Sequence, residues 1–366
     1  MPLKSTAGNH GAVAKGRGSP INPEGRFELY QREAAEDGWF QEPPEDGAAK
    51  PRTVIAIEQA KSVISRHKSP DVGFTQSINP YRGCGNGCVY CFARPSHAYL
   101  GLSPGLDFET RLTVKANAAG KLREELARPG YRCEPLTVGV NTDAYQPIEK
   151  EHRITRSILE VARETNHPVA LITKSALIER DLDLLEPMAR ERLASVTFSI
   201  TTLDASISRH MEPRTSAPAR RLLAVKRLAD AGIPVNVNIA PVIPFLTDAE
   251  LEPILEASAA AGARSACYLL VRLPWEVKDI FKAWLEAHFP LKAAHVMSRI
   301  HEMREGRDND PRFGTRMTGT GLFAELLRQR FEKACRRFGL DGSDREPALD
   351  CSRFRPPPLH GQGRLF

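Results

Sequence analysis

Short runs of apolar and β-branched residues alternate with longer amphipathic segments along the middle of the chain. Apolar side chains in the longer segments repeat at helical spacing, as at Val114, Ala118 and Leu122. Strands that are each followed by a helix indicate a parallel β/α sheet. The six predicted strands cover residues 74–79, 136–141, 168–173, 196–201, 234–239 and 266–271.

A parallel sheet of this kind is either doubly wound or curled into a barrel, and the pattern of strands and helices does not separate the two. In both architectures the chemistry takes place at the carboxyl ends of the strands. Polar residues that follow the predicted strands are therefore the first candidates for a functional site.

The rest of the chain differs from this central region in composition. Residues 1–50 are rich in glycine, proline and charged residues and predict a disordered or loosely draped extension. The β/α core is expected over residues 51–290, and a helical region over residues 291–338. Residues 339–366 contain three consecutive prolines and predict an extended tail.

Composition excludes few classes of protein. No apolar run reaches the roughly 18 residues of a membrane span. The N-terminus lacks the apolar stretch of a secretory signal, so a cytoplasmic location is expected. A net charge of +6 permits contact with a polyanion without requiring it.

A group of cysteines directly follows the first predicted strand. Cys84, Cys88 and Cys91 have the spacing C-x3-C-x2-C, and thiolates of this kind select iron–sulfur clusters or zinc. Structural zinc would need a fourth ligand, for which His97 is the nearest candidate. Zinc sites usually combine two paired motifs, and no second Cys-x2-Cys pair occurs in the chain.

Glycines at positions 83, 85 and 87 would let this loop curl around a bulky inorganic core. A cubane cluster has four irons, and the loop offers three thiolates. One iron is then open to an exogenous ligand, and the amino and carboxylate groups of the methionine part of S-adenosylmethionine can chelate it. The sulfonium would then lie where an electron can enter it.

The cysteine loop resembles the radical SAM signature C-x3-C-x-Φ-C, with Tyr90 as the aromatic residue. The resemblance covers about residues 74–290 and implies a partial (βα)6 barrel. Residues 79–91 and 142–149 are similar to the group related to spore photoproduct lyase, the DNA repair photolyase-like proteins. This resemblance implies a [4Fe–4S] cluster, reductive cleavage of S-adenosylmethionine, an electron donor such as flavodoxin or ferredoxin, and a nucleic acid substrate.

The same resemblance indicates residues that would hold S-adenosylmethionine. Radical SAM proteins often end the second strand in Gly-Gly-Glu, which contacts the amino group, and here Thr142 and Asp143 stand in its place. Their oxygens would suit an ammonium group, although an Asx turn at Asp143 is an alternative. Lys174 follows the third strand and is expected to pair with the carboxylate, or else to be a solvent-facing lysine.

Further polar candidates end the next two strands. Ser199 and Thr201 close the fourth predicted strand and would face the same side of it. Asn238 lies near the end of the fifth strand. On the inside of a barrel, these three side chains would be available to a ligand.

Other residues bear on the substrate. Tyr99, Tyr145 and Tyr268 are candidates for stacking on a base, and tyrosines at such positions also serve as packing residues. Arg82 and Arg94 flank the cysteines and would tune a cluster, bind a phosphate or be surface charges.

The resemblance to spore photoproduct lyase also implies an additional cysteine that donates a hydrogen atom to a substrate radical. None of the remaining cysteines matches this role convincingly. Cys133 and Cys267 lie near the starts of predicted strands, so neither fits that role. Cys335 is expected to be a buried small residue in a helix, and Cys351 lies in the predicted tail.

The last five residues, 362–366, resemble a peptide that docks on the sliding clamp of bacterial replication. Two alternatives stay open. One is a radical SAM enzyme that acts on RNA, a peptide or a small metabolite. The other is a cluster- or zinc-stabilised binding protein, associated with the clamp and without turnover.

Overall fold

The computed structural model of this chain describes residues 16–28, 51–342 and 348–358. The strands of the described residues are β1 (Val54–Glu58), β2 (Ile64–Arg66), β3 (Gln76–Ile78), β4 (Tyr81–Arg82), β5 (Arg111–Lys115), β6 (Leu136–Val138), β7 (Val169–Thr173), β8 (Ala194–Ser199), β9 (Val235–Val242) and β10 (Ser265–Leu270).

Helices follow most of these strands. The α-helices of the described residues are α1 (Leu106–Thr110), α2 (Ala118–Leu126), α3 (Glu149–His152), α4 (Ile154–Glu164), α5 (Leu182–Arg190), α6 (Ala205–Met211), α7 (Pro218–Asp230), α8 (Leu251–Ala260), α9 (Val277–His288), α10 (Pro290–Met303) and α11 (Gly321–Phe338). Short 3-10 helices cover Arg94–Leu100, Ala176–Asp181 and Asp248–Glu250.

The main sheet has seven strands in the order β10-β9-β8-β7-β6-β3-β2. Strands β3, β6, β7, β8, β9 and β10 are parallel, and β2 joins the edge antiparallel to β3. These six parallel strands are the six predicted from the sequence. The predicted α/β class is confirmed, and the helices after the strands give the partial barrel its outer layer.

Three of the predicted strand ends are wrong, and one of these strands, predicted over residues 234–239, continues to Val242. The strand predicted over residues 136–141 ends at Val138 because Gly139 adopts a φ of 93°. The backbone N–H of Asn141 then donates to the side chain of Asn79 (2.7 Å) instead of to a neighbouring strand. The strand predicted over residues 196–201 ends at Ser199, so Thr201 lies beyond it.

A second sheet, in the order β1-β5-β4, is absent from the sequence prediction. Val114 was expected to begin a helix, but it lies in β5, where it and Leu112 are buried. Helix α2 begins only at Ala118, after a turn in which the side chain of Asn117 bonds the backbone of Ala60 (2.8 Å). The four-residue spacing from Val114 to Ala118 therefore spans a strand end.

The two faces of the main sheet differ in polarity. Along β9, Val235, Val237 and Ile239 are buried in the main hydrophobic core, whereas Asn236 and Asn238 point to the other face and are half-buried. This second face is the inside of the barrel. Its polar residues distinguish it from a barrel interior filled by branched apolar side chains.

Residues 309–320, here called the closing segment, connect the two edges of the main sheet. The backbone N–H of Leu270, at the end of β10, donates to the carbonyl oxygen of Met317 (2.9 Å). Arg316 forms an ion pair with Asp71 and donates to Ser69 (2.7 Å), and both partners lie in the turn between β2 and β3. The closing segment interrupts the helical region predicted over residues 291–338.

The described parts of the two termini are docked on the body. Residues 16–28 lie against the cysteine loop, and Phe354 packs on Tyr131 and His167. The rest of the predicted extension over 1–50 and the clamp-like peptide at 362–366 lie outside the described residues. In the described part of the chain, no helix is both long and apolar enough to cross a membrane.

Candidate active site

The cysteine loop leaves the carboxyl end of β3 and lies at the mouth of the barrel. Cys84 is buried, and Cys88 and Cys91 are half-buried, all three as free thiols. Burial, together with the charge of Asp143, raises the pKa of the Cys84 thiol to about 12. Because the metal ligand is the thiolate, metal binding at Cys84 releases a proton.

Backbone geometry fixes the path of this loop. Gly83 and Gly87 adopt φ values of 71° and 72°, a left-handed conformation that favours glycine. Gln146 clamps the loop, because its Oε1 accepts from the N–H of Gly85 (2.8 Å) and its Nε2 donates to the carbonyl oxygen of Gly83 (3.2 Å). The backbone N–H of Cys84 donates to Phe108 (2.9 Å).

Arg94 and Glu109 form a buried ion pair of 2.5 Å behind the loop, with neither side chain exposed. Arg94 also donates from Nε to the carbonyl oxygen of Cys88 (2.9 Å). This arginine therefore supports the cysteine loop. Arg82, the other flanking arginine, pairs with Glu58 (2.6 Å) at the surface.

His97, the candidate zinc ligand, is buried beside Gly83 and donates from Nε2 to the carbonyl oxygen of Arg111 (3.0 Å). Among the described residues, no group of three or more His, Cys, Asp or Glu side chains is arranged to hold a single metal ion.

Asp143 connects the cysteine loop to strand β7. Its carboxylate accepts from Asn86 Nδ2 (3.0 Å), the hydroxyl of Thr173 (2.7 Å) and the backbone N–H of Lys174 (2.8 Å). The backbone N–H of Tyr145 adds a fourth bond (2.8 Å), the Asx-turn contact anticipated as the alternative. These donors use both carboxylate oxygens.

Thr142 differs from its neighbour. Its hydroxyl is buried and has no hydrogen-bond partner among the described residues. Such an atom is costly to bury alone and is available to a ligand.

A buried polar network, which the sequence did not predict, lies beside the loop. Glu212 accepts hydrogen bonds from the hydroxyl of Tyr90 and from Thr201 (2.9 Å), and it pairs with Arg221. Although burial favours the neutral acid, the charges of Arg221 and Lys174 hold the pKa of Glu212 below its usual value. No sequence signal connects Glu212 with Arg221, because neither stands in a motif.

The structure brings most of the predicted site residues to one region. Lys174 places its Nζ 5.8 Å from the ring centre of Tyr90, and Thr201 belongs to the network of Glu212. Ser199 is buried at the end of β8, where its carbonyl oxygen accepts from Arg221 (3.1 Å).

Asn238 lies apart from that network, on the inside of the barrel. Its Oδ1 is 3.4 Å from Cys267 Sγ, on the strand that β9 pairs with. Cys267 therefore faces the interior, which its position near the start of a predicted strand did not indicate.

The proposed stacking tyrosines separate into two kinds. Tyr145 is buried and donates to Asp181 (3.0 Å), and Tyr268 packs on Phe331, so both act in packing. Tyr99 is 72% exposed and is available for contact with a partner.

Comparison with known proteins identifies the family. The family model described as the radical SAM superfamily matches residues 78–257. An uncharacterized protein of Mycobacterium tuberculosis is 35% identical over 278 residues, which are 75% of this chain and 77% of that protein. The chain belongs to the radical SAM superfamily. An uncharacterized protein of Methanocaldococcus jannaschii is 28% identical over 197 residues, 54% of this chain and 70% of that protein.

Solved structures show the same radical SAM fold. Spore photoproduct lyase complexed with dinucleoside spore photoproduct superposes with a TM-score of 0.55 at 15% identity, covering 78% of this chain and 79% of the lyase. A variant of that lyase with bound AdoMet and dinucleoside spore photoproduct gives a TM-score of 0.55 at 16% identity, with the same coverage. At this identity the likeness shows the fold. The predicted family and barrel are confirmed.

Proposed function

We propose that this radical SAM protein binds a [4Fe–4S] cluster through Cys84, Cys88 and Cys91 and cleaves S-adenosylmethionine reductively to a 5′-deoxyadenosyl radical that acts on nucleic acid. The observation that carries the proposal is the position of the three thiols. They lie on one glycine-shaped loop at the carboxyl end of β3, beside the unpartnered hydroxyl of Thr142.

The residues present fit such a cluster. Three soft thiol ligands stand on a loop anchored from outside by Gln146 and Arg94, so ligation need not reorganise the barrel. The cluster, when bound, supplies the electron that enters the sulfonium of S-adenosylmethionine. The electron would come from a donor such as flavodoxin or ferredoxin.

Side chains around the loop would bind and orient the cosubstrate. The Thr142 hydroxyl can accept from the amino group of S-adenosylmethionine, and Lys174 can pair with its carboxylate. Asp143, whose oxygens already accept four hydrogen bonds, would fix the position of Thr142 and Lys174. Tyr90, held by Glu212, would shape the wall of the site.

Two observations support nucleic acid as the substrate class. The lyase that shares this fold has been seen with a dinucleoside photoproduct. The inside of the barrel is polar, where Ser199 ends β8 and Asn238 lies beside Asn236 on β9. Amide and hydroxyl groups of this kind can bind the edges of a base.

Anaerobic reconstitution with iron and sulfide tests the proposal. Wild-type protein should turn brown, contain about four irons per chain as the cubane requires, and form 5′-deoxyadenosine when a reductant and S-adenosylmethionine are supplied. Cys91→Ala should lose all three properties, whereas Cys335→Ala, a buried cysteine on α11, should retain them.

A colourless protein that binds one zinc ion would overturn the cluster assignment. If the cluster is present, the substrate class is tested by comparing S-adenosylmethionine cleavage in the presence of damaged DNA, RNA, peptides and metabolites. Stimulation by a peptide or a metabolite, with no response to nucleic acid, would overturn the substrate class alone.

A further inference from the structure

Arg272 lies two residues beyond the end of β10, at the mouth of the barrel. Its guanidinium carbon is 6.0 Å from the ring centre of Phe92, the residue that follows Cys91. The side chain therefore stands next to the cysteine loop, on the side of the closing segment.

The hydrogen-bonding of Arg272 is incomplete. Among the described residues, its buried Nε has no hydrogen-bond partner, and its Nη1 contacts the thioether of Met317 at 3.7 Å, a weak acceptor. Burial and the charge of Arg316 lower the pKa of Arg272, while the charge of Asp71 opposes them.

Neighbouring arginines are bonded differently. The Nε of Arg304 is also buried without a partner among the described residues, but its Nη atoms donate to the carbonyl oxygens of Thr315 (3.0 Å) and Val271 (3.0 Å). Arg316 forms an ion pair with Asp71. A guanidinium held without a strong acceptor costs folding free energy, and a bound anion would supply the missing acceptor.

Exposed aromatic rings continue this region. Phe92 is 46% exposed, and Phe27, Tyr99 and Trp275 are 52%, 72% and 66% exposed. The last three surround Arg26, with ring centres 4.8, 5.2 and 4.8 Å from its guanidinium carbon.

Trp275 also adopts a φ of 51°, which is uncommon for a residue with a side chain. It lies three residues after Arg272 on the loop between β10 and α9, and this loop links the arginine to the rings around Arg26. We call Phe27, Phe92, Tyr99, Trp275 and Arg272 the mouth surface.

We infer that the mouth surface binds unpaired nucleotides of a nucleic acid, with a backbone phosphate on Arg272 and bases stacked on the exposed rings. This inference rests on the proposed function, since it names where the substrate of that site would dock. Rings stack on the faces of all bases and only on bases that have left the duplex. Arg26 is neutralised by Glu276 (3.1 Å), so Arg272 is left as the cation of the surface for a phosphate.

Fluorescence anisotropy with a labelled single-stranded oligonucleotide, over a series of salt concentrations, tests this inference on the reconstituted full chain without turnover. Arg272→Gln should bind roughly tenfold more weakly, as expected for a lost charge-assisted hydrogen bond. The slope of log affinity against log salt should fall by about 0.7, the value for one phosphate on a single strand. Trp275→Ala should weaken binding with the slope unchanged.

Arg123→Gln is the matched control, because it makes the same change of charge on α2, where Arg123 pairs with Glu164 (2.6 Å). Equal slopes for wild type, Arg272→Gln and Arg123→Gln would overturn the role of Arg272. Equally tight binding of polyglutamate, a polyanion without bases or phosphates, would overturn the nucleic acid surface.

The proposed enzymatic activity and the binding of nucleic acid by the mouth surface can be tested separately. Formation of 5′-deoxyadenosine without substrate should be the same in wild type and in the control Arg123→Gln, which lies outside the site on α2. Its absence in both, with oligonucleotide binding intact, would reject the enzyme and keep the surface. An Arg272→Lys variant that restores the salt slope would exclude a purely structural role.

Discussion

Of the three glycines in the cysteine loop, Gly83 has the tightest surroundings. A Cβ atom built at this position would lie 2.8 Å from His97 Cε1, 2.9 Å from Leu112 Cδ2 and 2.9 Å from the carbonyl oxygen of Phe108. Two of these neighbours are buried side chains and the third is backbone, so none can move away freely. The path of the loop before Cys84 therefore depends on glycine for space as well as for conformation.

Gly83→Ala should for these reasons destabilise the loop and reduce cluster binding. The left-handed φ alone costs an alanine about 1–2 kcal/mol, and the contacts add to that cost. Gly101→Ala is the control, because Gly101 has a φ of 64° and nothing within 4 Å of its Cβ position. Urea unfolding and iron content after reconstitution measure both variants. Equal losses would show that the surroundings of Gly83 are immaterial.

His167 makes the stability of the fold sensitive to acid. Burial lowers its pKa to about 4, from a value near 6.5 in the unfolded chain. As the pH falls below 6.5, the unfolded chain takes up a proton that the folded protein does not, so stability decreases. From pH 7 to pH 5 this loss should reach about 2 kcal/mol.

Urea unfolding of wild type and His167→Gln at the two pH values measures that contribution. The variant should lose most of the difference between pH 7 and pH 5. His152→Gln, on α3, is the control and should behave as wild type. An unchanged pH dependence in His167→Gln would place the acid sensitivity elsewhere.

Site residues that lie close together in the sequence could be predicted, whereas those that only the fold brings together could not. Cys84, Cys88 and Cys91 lie within one loop, and the ligand pattern is complete in the sequence. Glu212 and Tyr90 are held together only by the fold, so spacing could not connect them. Thr142 was predicted from its place after a strand, and its unpartnered hydroxyl could be seen only in the structure.

At the scale of elements, one carboxylate joins the N-terminal segment to the cysteine loop. Glu109 accepts from the backbone N–H groups of Gly18 (3.0 Å) and Ser19 (2.9 Å) while it pairs with Arg94. Composition predicted a draped or disordered segment here, since the docking depends on a partner about ninety positions away. Strand β5 was missed for a similar reason, because its partner β1 is distant in sequence.

Glu109→Gln should release the N-terminal segment and leave Arg94 as an uncompensated buried charge. Breaking a buried pair in this way costs about 3–5 kcal/mol. Urea unfolding measures that loss, and hydrogen exchange should become faster at Gly18 and Ser19. Glu58→Gln, which removes the partner of the half-exposed Arg82, should cost less than about 1 kcal/mol. Similar costs for the two variants would contradict the role of Glu109.

At the scale of the whole molecule, the main sheet does not close on itself, since its order runs from β10 to β2 without a pairing between them. The closing segment fills this gap in the described structure. It contacts β10 through Met317 and the turn between β2 and β3 through Arg316. The sequence prediction gave one helical region over residues 291–338 and did not identify this bridge within it, because an irregular segment has no periodicity. The mouth surface lies at the same seam, as Arg272 touches Met317.

A double-mutant cycle of Asp71→Ala and Arg316→Ala measures how much the ion pair between the closing segment and the turn between β2 and β3 contributes to stability. The ion pair is largely buried, with 7% and 17% of the two side chains exposed, and Asp71 also accepts from the N–H of Gly314 (2.8 Å). The double-mutant cycle should give a coupling of about 1–3 kcal/mol. Residues 309–320 should exchange amide hydrogens faster in each single variant, because the segment loses its contact with one sheet edge.

The exposed pair of Lys226 and Asp230 on α7 is the control and should couple by less than about 0.5 kcal/mol. A coupling equally small at Asp71 and Arg316, with unchanged exchange, would mean that the barrel is closed by its strands and helices alone.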